Sequence, residues 1–294
     1  MNAPALDRTA VLAVLALTAN AFTWGVLWLP FRWFAAQGLH PLWATVAVYG
    51  IVVGLISAWR PRAWGQLLRA PALWWLVLAA GITNAAYNTA ATLGDVVRAV
   101  LLFYLMPLWA VLLARVLLGE RLTPLAALRV ALALAGAMIV LWPADGGLPL
   151  PRTATDALAV LGGFGFALNN VVLRREAQRS RESRALAMFL GGLLVPALAA
   201  LGLGAAGLVP GPPPPAPAWL AGAFALALVF LVGNYALQYG AARLPANVTA
   251  VVMVSEVLFA AASAVALGAG QVTLAMAVGG ALILAAALLS AWRR

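Results

Sequence analysis

The chain has 294 residues, of which 65% are hydrophobic and 9% are charged, whereas a soluble domain carries roughly a quarter charged residues. Its 18 basic and 8 acidic residues give a net charge of +10, and it contains no cysteine and a single histidine, His40. This composition excludes a water-soluble globular fold, disulfides, thiolate chemistry and histidine-based metal sites or catalytic triads. We therefore expect neither a metal nor a cofactor.

Apolar runs long enough to cross a hydrocarbon core of about 30 Å recur along the whole chain. The first five cover residues 10–31, 41–59, 72–93, 97–118 and 124–142. Five more follow at residues 155–174, 185–207, 217–239, 246–267 and 272–291. The first run resembles a signal peptide, but it is long and no small-residue cleavage site precedes Pro30. The pattern predicts an all-α integral membrane protein with ten transmembrane helices and no separate soluble domain.

The basic residues, all of them arginine, indicate how these helices are oriented. With the N-terminus in the cytoplasm, the external stretches contain only Arg32, Arg98 and Arg152, and Arg129 lies within the fifth run. The remaining fourteen of the 18 basic residues fall on cytoplasmic stretches. Such an excess of internal positive charge orients membrane proteins. We predict cytoplasmic N- and C-termini, and we assign the basic charge to topology rather than to a nucleic-acid partner.

A weak internal repeat relates the two halves of the chain. Residues 101–109 align with residues 250–258, and Asn84 and Asn88 of the third run align with Asn234 and Gln238 of the eighth. In the first and sixth runs, residues 24–32 align with residues 166–174. Since each half has five helices, equivalent helices cross in opposite directions. The sequence thus predicts two inverted five-helix repeats, residues 1–146 and 147–294, around a central cavity, which is a geometry that transporters use for alternating access.

Two motifs resemble those of a known family. The fourth run contains Pro107 and ends in the turn Gly-Glu-Arg-Leu-Thr at residues 119–123, and the first run contains Trp24-Gly25. Together with the ten-helix pattern, they resemble the EamA-like group of the drug/metabolite transporter (DMT) superfamily. The third run, with its tyrosine and asparagines, is most similar to that of the YddG-type aromatic amino-acid exporters. The resemblance implies export of amino acids across the bacterial inner membrane. In the second half, Glu256 replaces the repeat proline and Gly-Ala-Gly-Gln at 268–271 replaces Gly-Glu-Arg-Leu.

Uncharged polar residues in mid-helix are candidates for binding a substrate. Asn84, Tyr87 and Asn88 have the i, i+3, i+4 spacing that places them on one helix face, and Asn234 and Gln238 repeat this in the eighth run. The two stripes could line a common cavity and offer amide and hydroxyl groups to a zwitterion. They could also join helices through hydrogen bonds within the bundle.

Glu256, near the middle of the ninth run, is the most costly residue of the chain, since a central carboxylate costs about 3 kcal/mol on insertion scales. One hypothesis is that it binds a substrate ammonium group or carries a proton. The alternative is a structural hydrogen bond across the bundle.

Aromatic residues away from the helix ends could form the walls of a substrate site or could simply pack in the core. They are Trp24, Trp28, Phe103, Tyr104, Trp109, Phe164 and Phe166. Pro107, near the centre of the fourth run, could act as a hinge or form a static bend.

These features favour a transporter that exports small neutral metabolites, including aromatic and other apolar amino acids, by alternating access. The alternative is a broad-specificity drug or toxic-metabolite efflux transporter. An intramembrane enzyme would need a nucleophile, a metal or an acid/base pair in the bundle, and Glu256 is the lone central carboxylate. We therefore predict no enzymatic activity, a small-molecule substrate, a lipid bilayer as the environment, and a monomer or weak homodimer.

Overall fold

The computed structural model describes residues 8–119, 123–142, 150–241, 243–244 and 246–291. Within these residues the chain forms thirteen α-helices and no β-strand. The first eight are α1 Arg8–Gly25, α2 Trp28–Ala36, α3 Pro41–Trp59, α4 Arg62–Leu68, α5 Ala72–Leu93, α6 Val96–Phe103, α7 Met106–Leu118 and α8 Pro124–Leu141. The other five are α9 Ala154–Arg175, α10 Arg181–Ala205, α11 Pro217–Ala241, α12 Ala246–Ala266 and α13 Leu274–Ala291.

Seven helical stretches of the described chain are long and apolar enough to cross a membrane, and an eighth is gained if α4 and α5 count as one bent span. Shorter apolar stretches, Ser255–Ala266 and Leu274–Ala286, lie in α12 and α13. The protein is therefore a multi-pass membrane protein, and it is all-helical over the residues that the structure describes. Ten spans and their repeat remain a prediction.

Two of the predicted continuous helices are divided in the structure. The first divides between α1 and α2, just before Pro30, and the fourth divides between α6 and α7, just before Pro107. Proline lacks a backbone N–H and its ring clashes with the preceding turn, so it is tolerated where a helix starts. In each case a new helix begins one or two residues before the proline, which lies in its first turn.

Local sequence signals fix several helix ends. Gly119 ends α7 in the left-handed conformation with φ of 68°, and Thr123 accepts a hydrogen bond from the Ala126 backbone N–H at 3.2 Å to cap α8. Pro124 occupies the first turn of α8. The predicted end of the fourth run at Gly119 is confirmed, while residues 120–122 of the predicted turn lie outside the described ones. At α3, His40 Nδ1 accepts from the Leu42 N–H, and burial lowers the pKa of His40, which favours the neutral acceptor.

Small residues allow the helices to pack closely. Gly136 of α8 and Gly279 of α13 face each other, so a Cβ on Gly279 would lie 2.6 Å from the Gly136 carbonyl oxygen. Gly280 packs against Leu101 of α6. Such contacts are typical of helix association in membranes, because burial of apolar side chains supplies little driving force when the surrounding lipid is equally apolar. The glycine pair 279–280 therefore packs against helices of the same chain.

Buried side chains form two main apolar cores. One contains Phe31, Tyr49, Leu76, Leu186 and Phe230, so it joins α2, α3 and the start of α5 to α10 and α11. The other core joins the end of α5 and α6 to α8, α12 and α13. Its members include Tyr87, Leu102, Tyr104, Val140 and Ile283. Large apolar side chains such as those of Trp75, Val116 and Leu198 stay exposed on the outside, as expected for a lipid-facing surface.

Candidate functional site

A cavity of about 360 Å³ lies inside the helix bundle, with side chains from both cores in its lining. This volume is within the range of small-molecule sites. Eight of the sequence-predicted site residues line it: Trp24, Asn84, Tyr87, Phe103, Tyr104, Phe166, Asn234 and Glu256.

One wall is an aromatic cluster from α1, α3, α10 and α11. Trp24 stacks on Phe230 with ring centroids 5.2 Å apart, and Tyr49 contacts Phe230 at 5.5 Å and Phe189 at 5.7 Å. All four rings line the cavity. We call this group the first aromatic wall.

The second aromatic wall comes from α5, α6, α9 and the α6–α7 break. Phe103 is its centre and lies 4.7 Å from the Tyr87 ring, 5.5 Å from Phe166 and 6.0 Å from Tyr104. Close approach of α9 makes this possible, since a Cβ on Gly162 would lie 3.2 Å from the Tyr87 backbone nitrogen and side chain. Apolar substrate groups would therefore lie between two aromatic surfaces.

The amide of Asn84 is held beside the first aromatic wall by two hydrogen bonds. Its Oδ1 accepts a hydrogen bond from the Tyr49 hydroxyl, and its Nδ2 donates to the Ala80 carbonyl oxygen at 2.7 Å. Because Tyr49 belongs to α3 and Asn84 to α5, this contact ties the two helices together beside the cavity.

Glu256 brings a carboxyl group from α12 to the second aromatic wall. The Tyr104 hydroxyl donates a hydrogen bond to Glu256 Oε2 at 3.3 Å. The backbone of α12 is held close by α1, since a Cβ on Gly25 would lie 2.7 Å from the Glu256 carbonyl oxygen. Two helices from opposite ends of the sequence thus place this carboxyl at the cavity.

Three predicted residues lie away from the cavity lining. Trp28 Nε1 donates to Ser263 Oγ at 3.1 Å, and the Arg32 guanidinium lies 5.1 Å from the Trp28 ring centroid. Asn88 is buried and donates to Thr45 Oγ1 at 3.1 Å. Trp109 packs edge-on against Phe164. These contacts join helices, so a direct substrate contact for the three is not what the geometry favours.

For two further predicted residues, the structure describes only the backbone. The side chain of Gln238 and that of Pro107 lie outside the described parts of the structure. The backbone of Pro107 lies in the first turn of α7, directly after the break at Tyr104 and Leu105.

Several lining residues were missed by sequence reasoning. Asn20 and Asn169 are polar residues in mid-helix, so the criterion that selected Asn84 would also have found them. Phe189 and Phe230 carry no signal in the sequence that separates them from aromatic residues of the core. Three methionines complete the group: Met106, Met188 and Met253.

One end of the bundle is closed by polar contacts, and we call it the closed end. Arg98 of α6 pairs with Asp156 of α9, with N–O distances of 2.6 and 3.0 Å, and donates to the Val140 carbonyl oxygen. Asp95 accepts from the Gln271 backbone N–H at 3.2 Å, and Arg32 donates to the Gly94 carbonyl oxygen at 2.7 Å. The contacts of Arg98 with Asp156 and of Asp95 with Gln271 join the first half of the chain to the second, whereas those to the Val140 and Gly94 carbonyl oxygens lie within the first half.

The cavity extends toward the opposite end. Its lining reaches Ala185, in the second turn of α10, and Leu237, near the last turn of α11. This end carries Arg60, Arg62 and the arginines of residues 174–184, and we call it the arginine-rich end. Within the described ranges, no three His, Asp or Glu side chains come together in a way that could hold a metal ion.

A multi-pass helical bundle with an internal aromatic and polar cavity is an architecture suited to a membrane protein that handles small organic molecules. Comparison with known families agrees: residues 11–142 match the EamA-like transporter family. This part of the chain is thus similar to an EamA-like domain of the drug/metabolite transporter superfamily, which indicates a membrane transporter of small molecules.

Other comparisons add information on the fold alone. A protein of known crystal structure, whose title gives no function, is 24% identical, with a TM-score of 0.57. The similarity covers 95% of this chain and 96% of that one, so the fold is shared over nearly the full length. No curated protein sequence matches the chain.

Proposed function

We propose that this protein exports small neutral metabolites, including aromatic and other apolar amino acids, across a bacterial inner membrane by alternating access. The observation that carries the proposal is a cavity with two aromatic walls that extends toward the arginine-rich end while the other end is closed. By the positive-inside rule we assign the arginine-rich end and both termini to the cytoplasm. The conformation is then ready to accept a solute from the cytoplasm.

Helix packing supports the proposed inverted repeat of residues 1–146 and 147–294. In the predicted repeat, α5 is equivalent to α11, and α9 is equivalent to the α1–α2 pair. Both exchanged combinations pack together, α5 on α9 and α11 on α1. The equivalent helices α8 and α13 pack on each other, as do α3 and α10. A twofold axis between the halves accounts for all of these contacts.

The helix break before Pro107 supplies a place for motion. Tyr104 and Leu105 interrupt the α6–α7 span next to Glu256. We propose this break as a hinge, because its residues lack the continuous hydrogen bonding of a straight helix. The cavity is formed within one chain, so a monomer is sufficient for this mechanism.

A broad-specificity efflux transporter is a second candidate. Met106, Met188 and Met253 line the cavity, and methionine side chains adapt to ligands of different shape. A protein that accepts unrelated aromatic drugs as readily as amino acids would fit this alternative.

Uptake of radiolabelled Phe, Trp, Thr and Met into liposomes containing the purified protein, with and without a proton gradient, tests the proposal. We expect saturable uptake and counterflow of at least the aromatic substrates. Ala80→Trp should block uptake, because Ala80 lines the cavity and is buried. Leu198→Trp, on the exposed surface of α10, is the matched control and should transport normally.

Linear, unsaturated flux would contradict a carrier. Transport of drugs without transport of any amino acid would favour the efflux alternative.

A further inference from the structure

We propose that the cavity recognises its substrate through an ammonium group, held at an acceptor-rich site formed by Glu256, Asn20 and Asn169. The ammonium group is the part of an amino-acid substrate that the site selects, and the substrate carboxylate contributes no recognition. This inference rests on the proposed function and names the chemical group by which its substrates are selected.

The described lining of the cavity offers a group that can carry negative charge and none that can carry positive charge. Glu256 is the only ionisable acid or base among the described lining residues apart from tyrosines. Its carboxyl accepts a hydrogen bond from the neutral Tyr104 hydroxyl, which brings no positive charge. A carboxylate away from water is costly unless a cation pairs with it. A substrate ammonium supplies that cation, and primary amines are protonated at neutral pH, as lysine is.

Two further acceptors lack partners. Asn20 and Asn169 line the cavity with relative exposures of 1% and 3%, and the Oδ1 atom of each has no hydrogen-bond partner among the described residues. Buried polar atoms normally have partners, so each such oxygen calls for an explanation. An ammonium group has three N–H donors and no acceptor, which complements a lining with a carboxylate and two open amide oxygens.

Asn20 lies near Glu256 on the neighbouring helix. Its Nδ2 contacts Met253 Sδ at 3.7 Å, and Met253 is one helical turn before Glu256 on α12. Binding of the amide nitrogen to sulfur leaves its oxygen as the available group. The structure thus places one amide acceptor within a turn of the carboxyl.

The aromatic walls suit the same ligand class. Tyr104, which contacts Glu256, and its neighbour Phe103 both line the cavity, and a cation over an aromatic face is attracted by the ring quadrupole. The rest of the two walls would enclose an aromatic or aliphatic body. No described lining residue is an arginine or lysine, so the carboxylate of a zwitterion finds no cationic partner in this lining.

A ligand series that varies one group at a time tests the inference by calorimetry on the purified full-length protein. The probes are 2-phenylethylamine, phenylalanine, 3-phenylpropionate and the neutral 3-phenylpropan-1-ol. We expect the amine to bind at least about tenfold more tightly than phenylpropionate, and at least as tightly as phenylalanine.

The variant Glu256→Gln should lose affinity for the amine by at least about tenfold, as expected when one partner of a charge pair is removed. Its affinity for the neutral alcohol should be unchanged, which also shows that the variant is folded. The matched control is Glu176→Gln, since Glu176 pairs with Arg179 at the arginine-rich end, away from the cavity. This variant should bind all four probes like the parent.

Tighter binding of phenylpropionate than of the amine, or an unchanged preference in Glu256→Gln, would overturn the inference while leaving the proposed function intact. If none of the four probes bound, the proposed function would fail as well.

Discussion

Asn84 and Asn88 lie one helical turn apart on α5 but have different surroundings. Asn84 lines the cavity with Tyr87, whereas Asn88 turns toward α3 and donates to Thr45. Successive residues of a helix are about 100° apart, so Tyr87 and Asn88 lie on either side of the direction of Asn84. The sequence predicted the shared face, and the position of α3 decided which part of it meets the cavity.

This difference predicts separate effects for two matched variants. Asn88→Ala should reduce stability by about 0.6 kcal/mol, the mean of interhelical side-chain hydrogen bonds in a membrane, and should leave substrate affinity unchanged. Asn84→Ala should weaken substrate binding, because it removes a cavity amide and releases the Tyr49 hydroxyl. Thermal unfolding in detergent and ligand titration separate the two. A loss of affinity in Asn88→Ala would show that it also contacts the substrate.

At the scale of helices, the close approach of α8 and α13 determines how the two halves meet. Gly136 and Gly279 each approach the other's carbonyl oxygen, and Ile283 packs against Gly136. The neighbours include backbone atoms, which cannot rotate away as a flexible side chain would. The glycines are visible in the sequence, but the helix that packs against them is decided by the fold.

Gly136→Val should therefore destabilise the protein by about 1–3 kcal/mol, the usual range for overpacking. Gly202→Val in α10 is the matched control, since no atom lies within 4 Å of a Cβ at that position and the helix-propensity change is the same. The measurement is the unfolding temperature in detergent, followed by uptake assays. Equal unfolding temperatures for the two variants would contradict the proposed packing of α8 on α13.

For the whole molecule, the balance between the two ends determines which side of the membrane reaches the cavity. The Arg98–Asp156 pair and the Asp95–Gln271 contact join the two halves at the closed end. Asp156 is 4% exposed, so its charge is largely removed from water and depends on Arg98. Opening this end requires these contacts to separate.

Asp156→Asn should shift the protein toward a conformation that is open at the closed end. Because the chain has no cysteine, Thr83→Cys provides a single label site in the cavity lining. A membrane-impermeant maleimide should label this site from the arginine-rich side in the parent, and addition of Asp156→Asn should increase labelling from the opposite side several-fold. Glu176→Gln is again the control and should leave the sidedness unchanged. Unaltered labelling in Asp156→Asn would show that the ion pair does not hold this end closed.

The sequence by itself determined the membrane class, the apolar helices and the helix end at Gly119. Each of these depends on local composition or on backbone chemistry within a few residues. It also selected Glu256 and Asn84, since polar groups are costly in an apolar helix wherever the helix lies.

Only the tertiary structure decided which aromatic residues line the cavity. Trp24, Phe189 and Phe230 meet there, whereas Trp28 and Trp109 contact neighbouring helices instead. In a bundle whose helices are apolar nearly all round, the hydrophobic pattern does not specify how each helix is rotated. Rotation follows from packing between helices far apart in sequence, such as α1 on α12, which also brings Asn20 close to Glu256.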